Sequence, residues 1–171
     1  YDDPMPDRET YEGYAGETAA ALIQLTAMIL DPGSSAEAAT AAGHAGVAHA
    51  VAGHLMLLPQ HQARGQVFVP GDILAATGLD RERFLAGHDK AAASAAVLAF
   101  AALGRDHLGK ARAALKQLPA SVRPAFIPAA ISAPVFARAE SLKAECLTMS
   151  PQPPQWRRQW RLWRSSRGGM I

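Results

Sequence analysis

Six histidines, one cysteine and 15 acidic residues are the groups that could carry chemistry in this 171-residue chain. His44, His49 and His54 stand five apart, and each such step turns an α-helix by about 140°, so the three imidazoles are expected on different faces. A zinc pair on a helix needs a spacing of about three or four, and these histidines read instead as solvated or partner-bonded. His61 shares a face with His54 only if the helix survives Pro59. The lone Cys146 excludes an internal disulfide and a cysteine-built zinc site. No glycine-rich phosphate loop, Ser-His-Asp order or Cys-His pair stands out. Taken alone, the motifs point to no reaction.

The elements that must position these groups are helical. The chain has 37 alanines, and alanine is the best helix former. Aromatics make up only 6%, which argues against a β-sandwich. The length suits one domain with a real core, and no apolar run reaches the ~18 residues of a membrane span. The first residues, Tyr1-Asp2-Asp3-Pro4, carry no targeting signal and suggest a piece of a longer protein. A net charge of +2 hides an asymmetry. Residues 1 to 37 hold eight acids and one base, whereas five arginines and no acid follow Glu145.

Asp7 is a candidate N-cap, and Leu22, Leu25, Met28 and Ile29 recur at helical spacing up to Leu30. Asp31-Pro32-Gly33 stops that helix, and a small-residue helix follows from about Ala36 to Leu58, ended or kinked by Pro59. A short extended passage from Gly65 to Val69 leads to helical pieces from Ile73 and, capped by Asp80, to Ala86. A long helix over Lys90 to Leu118, a proline-broken stretch over 120 to 134 and a helix over Val135 to Leu147 follow. The expected architecture is an all-α bundle of six to eight helices. It divides into a domain over 1–150 and a proline linker with a basic tail helix over 151–171.

The passage Leu55 to Leu74 resembles the stretch around the second aspartate motif of the squalene/phytoene synthase family. Arg64-Gly65, Val67-Phe68-Val69-Pro70 and Asp72-Ile73-Leu74 fit the family's Ala-Arg-Arg-Gly-Arg, Tyr-Leu-Pro and Asp-x-Leu frame. Upstream, Tyr14-Ala15-Gly16-Glu17-Thr18-Ala19-Ala20 is similar to its Tyr-Cys-x-x-Val-Ala-Gly helix. The resemblance implies an isoprenoid-synthase-like helical bundle around an apolar cavity, here an incomplete copy covering the C-terminal part of the fold. It also implies an enzyme that joins two prenyl diphosphates, with aspartates on facing helices holding magnesium against the departing diphosphate.

The departures from that pattern carry as much weight. The aspartates of the second motif fall on Leu57 and His61, Phe68 stands for the tyrosine, and Ala20 and Ile23 stand for glycines. The first aspartate motif would lie before Tyr1, and Asp2-Asp3 cannot replace it because Pro4 follows. A magnesium cofactor is therefore expected only if the family's catalysis survives, and none is expected of this chain. A branch of the family with the same loss comprises the assembly factors of respiratory complex I and their bacterial relatives. The Tyr-Ala-x-x-Thr beginning, Pro59-Gln60-His61 and the Trp-Arg end are similar to it. The expectation is a catalytically degenerate prenyl-binding or assembly scaffold. The alternative is an active magnesium-dependent prenyltransferase. No residue is assigned a catalytic role. The resemblance places Tyr14, Thr18, Gln60, His61, Arg64 and Phe68 as substrate-binding residues for a prenyl diphosphate or isoprenoid, with Arg64 the best remaining anion contact.

The tail is the second informative segment. Trp156, Trp160 and Trp163 fall at i, i+4 and i+7, one face of a helix over 155–164. Arg157, Arg158, Arg161 and Arg164 occupy the rest. The expectation is that the indoles pack on the bundle while the arginines face outward, opposite the acidic residues 1 to 17. The same pattern suits an anionic membrane interface. Nucleic acid is not expected, since the basic residues form one short face. The implied location is cytoplasmic, peripheral on the inner face of a membrane, or the mitochondrial matrix in a eukaryote.

Overall fold

The computed structural model of the chain describes residues 4–168 and residue 171. Asp2 and Asp3 therefore lie outside the described residues. The described elements are all helical. They are α1 (Arg8–Ala15), a π-helical turn (Gly16–Ala20), α2 (Ala21–Leu30), a 3-10 turn (Pro32–Ser34), α3 (Ser35–Met56), α4 (Leu58–Ala63), α5 (Gly71–Ala76) and α6 (Arg81–Ala86). After these come α7 (Lys90–Leu115), a 3-10 stretch (Arg123–Ile131), α8 (Ser132–Leu142), a 3-10 turn (Lys143–Leu147) and α9 (Gln155–Gly168). No helix among them is long and apolar enough to cross a membrane.

Local chemistry explains the boundaries. The Asp7 carboxylate accepts from the Thr10 amide at 2.8 Å and caps α1. Asp80 caps α6 by accepting from the Arg83 amide at the same distance, and Gly87 ends α6 with a left-handed φ of 64°. Pro59 does not simply end the α3 segment. The chain kinks at Leu57, and α4 begins with Pro59 in its first turn, where the missing amide costs nothing.

The core is built on α3. Its buried residues (Ala38, Ala41, Ala42, Ala45, Val47, Ala48, Val51, Ala52 and Leu55) lie on several faces, because neighbours surround the helix. Its widest contact is with α7, and it also meets the π turn, α2 and α8. Small side chains permit the close approach. A Cβ on Gly46 would fall 2.5 Å from the Ala20 backbone, and one on Gly104 would fall 2.5 Å from Phe136. The close crossing of the π turn over α3 at Ala20 thus depends on Gly46.

Two apolar stripes do not do what their periodicity suggests. On α2, Leu22, Leu25 and Ile29 are exposed, Ile29 by 82%, while Ile23 and Ala27 turn inward. On α9 the expected docking of the indoles is corrected: Trp156, Trp160 and Trp163 are 63%, 54% and 52% exposed. The helix seats its other face. Arg161 Nε donates to the Ala130 carbonyl at 2.8 Å, and the small Ser165 is buried against the same 3-10 stretch.

Candidate functional site

The one-residue break at Leu57 leaves the helical path running on into α4, since the Leu57 amide still donates to the Gly53 carbonyl and the His61 amide to the Leu57 carbonyl. His61 therefore comes near His54, seven residues earlier, with ring centroids 5.7 Å apart, despite the proline between them. The irregular passage after α4 then lays Phe68 flat on the His54 imidazole, at 4.3 Å and 8° between planes. His61 also touches Phe68 at 4.5 Å. From α1, Tyr14 lies against the other side of the cluster, 6.0 Å from His54. Tyr11, fully buried, shares a 2.8 Å hydrogen bond between its hydroxyl and His54 Nδ1. An aromatic box closes around one imidazole.

Burial sets the protonation of the box. His54 is held down to about 4, first by desolvation and then by the neighbouring His61. His61 is also lowered, by burial and then by the Arg64 charge. The Tyr11 phenol is pushed well above its ordinary value, by burial and then by Tyr14. Near neutral pH these groups form an uncharged ring surface. Nδ1 of His61 and Nδ1 of His49 are buried without a hydrogen-bond partner.

Beside the box runs an open groove of about 550 Å³, bordered by Tyr14, Thr18, Leu22, His49, His54 and Leu57. The π turn shapes one wall, since Glu17, Thr18 and Ala19 of that turn all border the groove. Such widened turns are frequent at functional sites. The Thr18 hydroxyl donates to the Tyr14 carbonyl at 2.7 Å and so is spent within the helix. The opposite wall is α3, where Gly53 leaves open space. Leu22 on that rim belongs to the exposed face of α2.

Of the six residues placed here by resemblance, the structure brings Tyr14, Thr18, His61 and Phe68 to the groove or the box. Gln60 and Arg64 are exposed at the end of α4 and do not border the groove. Sequence reasoning missed Tyr11, His49 and His54. The five-residue spacing does separate His44, which pairs with His107 at 3.2 Å between Nδ1 atoms. It does not separate His49 from His54, because the groove is broad enough to be bordered by both. The signal available for His54 was Tyr11, an aromatic placed to pack beneath it, but nothing local joins residues 43 positions apart.

Magnesium is the metal that the resemblance implies, and the donor set does not fit it. Leu57 has no ligand atom, and His54 and His61 offer nitrogen where magnesium takes oxygen. Glu17 supplies a single carboxylate to the groove. Among the described residues no group of three or more His, Cys, Asp or Glu is arranged to hold a metal ion.

The fold is that of the crystal structure of squalene synthase HpnC from Alicyclobacillus acidocaldarius. The match has a TM-score of 0.61 at 16% identity and covers 98% of this chain and 54% of that one. It defines the class as an all-α, isoprenoid-synthase-like domain. Residues 1–164 match the family model of squalene/phytoene synthase, and the chain belongs to that family. Curated relatives include NADH dehydrogenase (ubiquinone) complex I, assembly factor 6, of Mus musculus and of Homo sapiens. Each is 33% identical over 116 residues, 68% of this chain and 34% of the relative. The chain thus spans about a third of the length of these relatives.

Proposed function

We propose that this squalene/phytoene synthase-like domain binds an isoprenoid chain without condensing prenyl diphosphates, and serves as a scaffold in the assembly of complex I or a related membrane complex. The observation that carries the reading is the replacement at the two motif positions. Leu57 lines an apolar groove, and His61 joins an uncharged ring cluster. A diphosphate leaving group would bring several negative charges there with no metal cage to meet them. An isoprenoid tail suits the same surface, since its methyls can lie on Tyr14, Leu22 and Leu57 and gain about 25 cal/mol per Å² buried. The assembly role rests on the relatives' name and the shared family.

Two assays test this together. A Gly53→Leu side chain would project into the groove, and it should abolish binding of a fluorescent farnesyl analogue that the unmodified chain retains. Radiolabelled farnesyl diphosphate incubated with magnesium should yield neither condensed product nor free diphosphate. Turnover would overturn the scaffold reading, and binding unaffected by Gly53→Leu would remove the groove from it.

A further inference from the structure

A second cavity, of about 720 Å³, lies away from the groove, under α9. Its walls come from the C-terminal half of α7, the 3-10 stretch and α9. They bring together Arg112, Lys116, Arg123, Arg161 and Arg164, with Trp160 among the lining residues. No acidic residue lines it. Neither do these five cations have a carboxylate side-chain partner among the described residues.

Main-chain oxygens hold three of the guanidiniums. Arg112 Nε donates to the main-chain oxygen of Ile171, the last residue of the sequence, at 2.8 Å. Arg123 donates to the Leu118 carbonyl through Nε and a terminal nitrogen, at 3.1 and 2.9 Å. Arg161 is held by Ala130 as described above. Each keeps further N–H groups for another acceptor, because a guanidinium has about five. Arg112 is lowered by burial and then by the Arg161 charge beside it. The chain thus gathers like charges around a concave space, an arrangement that an anion relieves.

The surface around the cavity narrows the anion's source. Three indoles stand exposed on α9, and each is covered by an arginine: Arg157 lies 5.1 Å from the Trp156 ring, Arg164 5.4 Å from Trp160 and Arg167 4.4 Å from Trp163. Amphipathic rings beside cations match the headgroup layer of a bilayer, where indoles sit at the apolar boundary and cations meet phosphates. We propose that this cavity seats the phosphate of an anionic phospholipid headgroup, with α9 lying in the interface of the membrane. Arg112 from α7 and Arg123 from the 3-10 stretch grip the phosphate, Arg164 and Lys116 close over it, and the indoles enter the lipid surface. The groove reading plays no part in this, so either can fail alone.

Co-sedimentation with vesicles tests it. The full chain should bind phosphatidylcholine vesicles containing phosphatidylglycerol and should not bind pure phosphatidylcholine. Lys116→Gln/Arg164→Gln removes two cavity charges that hold no backbone carbonyl. It should weaken binding by more than the roughly 30-fold that two basic residues near an anionic surface supply at about 1 kcal/mol each, because the contacts to the seated phosphate are lost as well. Arg157→Gln/Arg158→Gln removes equal charge from the same tail outside the cavity and should cost no more than that roughly 30-fold. Arg112→Gln/Arg123→Gln, checked for folding by circular dichroism, should match the first pair. Equal losses from the inner and outer pairs would overturn the cavity site in favour of a diffuse basic surface. Calorimetric binding of inorganic phosphate without vesicle binding would overturn the lipid assignment, as would binding to neutral vesicles at the same strength.

Discussion

The His54 box makes stability depend on pH between about 4 and about 6.5. The imidazole takes up a proton near 6.5 in the unfolded chain and only near 4 in the folded one. Between these values the unfolded state binds more protons, so stability falls as pH drops from about 6.5 to about 4 and levels off below that for this group. At about 1.36 kcal/mol per unit, the His54 contribution over the window is about 3 kcal/mol. His44, His49 and His61 are shifted in the same direction and steepen the fall. The carboxylates held low (Asp7, Asp31 and Asp106) lose their contribution only below the ordinary carboxylate range, outside most of this window. Urea unfolding followed by helical circular dichroism should show the midpoint falling by about 1 to 2 M between about pH 7.5 and pH 4.5, for a slope near 2 kcal/mol per M. His54→Gln should lose about half or more of that dependence while remaining folded. A midpoint unchanged across the window, or an unchanged dependence in His54→Gln, would refute the buried neutral imidazole.

Two other consequences concern packing. Gly46→Ala and Gly43→Ala are the same change on one helix with opposite expected signs. The first drives a methyl into the Ala20 backbone at 2.5 Å and should destabilise by about 2 kcal/mol or more, whereas the second meets nothing within 4 Å and should stabilise by up to about 1 kcal/mol. Thermal unfolding of the two variants checks this. Trp163→Ser should cost well under the ~3–5 kcal/mol of a core tryptophan, since more than half of the indole is exposed. A core-sized loss in denaturant titration would mean the tail docks through its indoles after all.

The parts of the fold legible in the sequence are those governed by neighbours in the chain. Asp7 and Asp80 signal helix starts because capping is a three-residue affair, and Gly87 ends α6 where only a left-handed residue fits. The helical class follows from alanine content. What the sequence hides depends on partners far along the chain. The spacing of Trp156, Trp160 and Trp163 correctly names a shared face of α9 but not which side of the helix is buried, because Arg161 and Ser165 win the docking through a carbonyl and a small volume. The stripe of Leu22, Leu25 and Ile29 is just as periodic and just as exposed. Pro59 reads as a barrier between His54 and His61, yet it sits in the first turn of α4, where its missing amide interrupts little, and the two rings still meet. Resemblance supplied Tyr14, His61 and Phe68, and long-range folding supplied the residue they gather around.

The direct test of the central claim is calorimetric titration of the chain with a non-hydrolysable farnesyl diphosphate analogue, with and without magnesium. With Leu57 and His61 at the motif positions, affinity should be the same in both conditions within about twofold, and farnesol should compete. A gain of tenfold or more on adding magnesium would show that a working cation cage exists, and the account of a metal-independent isoprenoid groove would be contradicted.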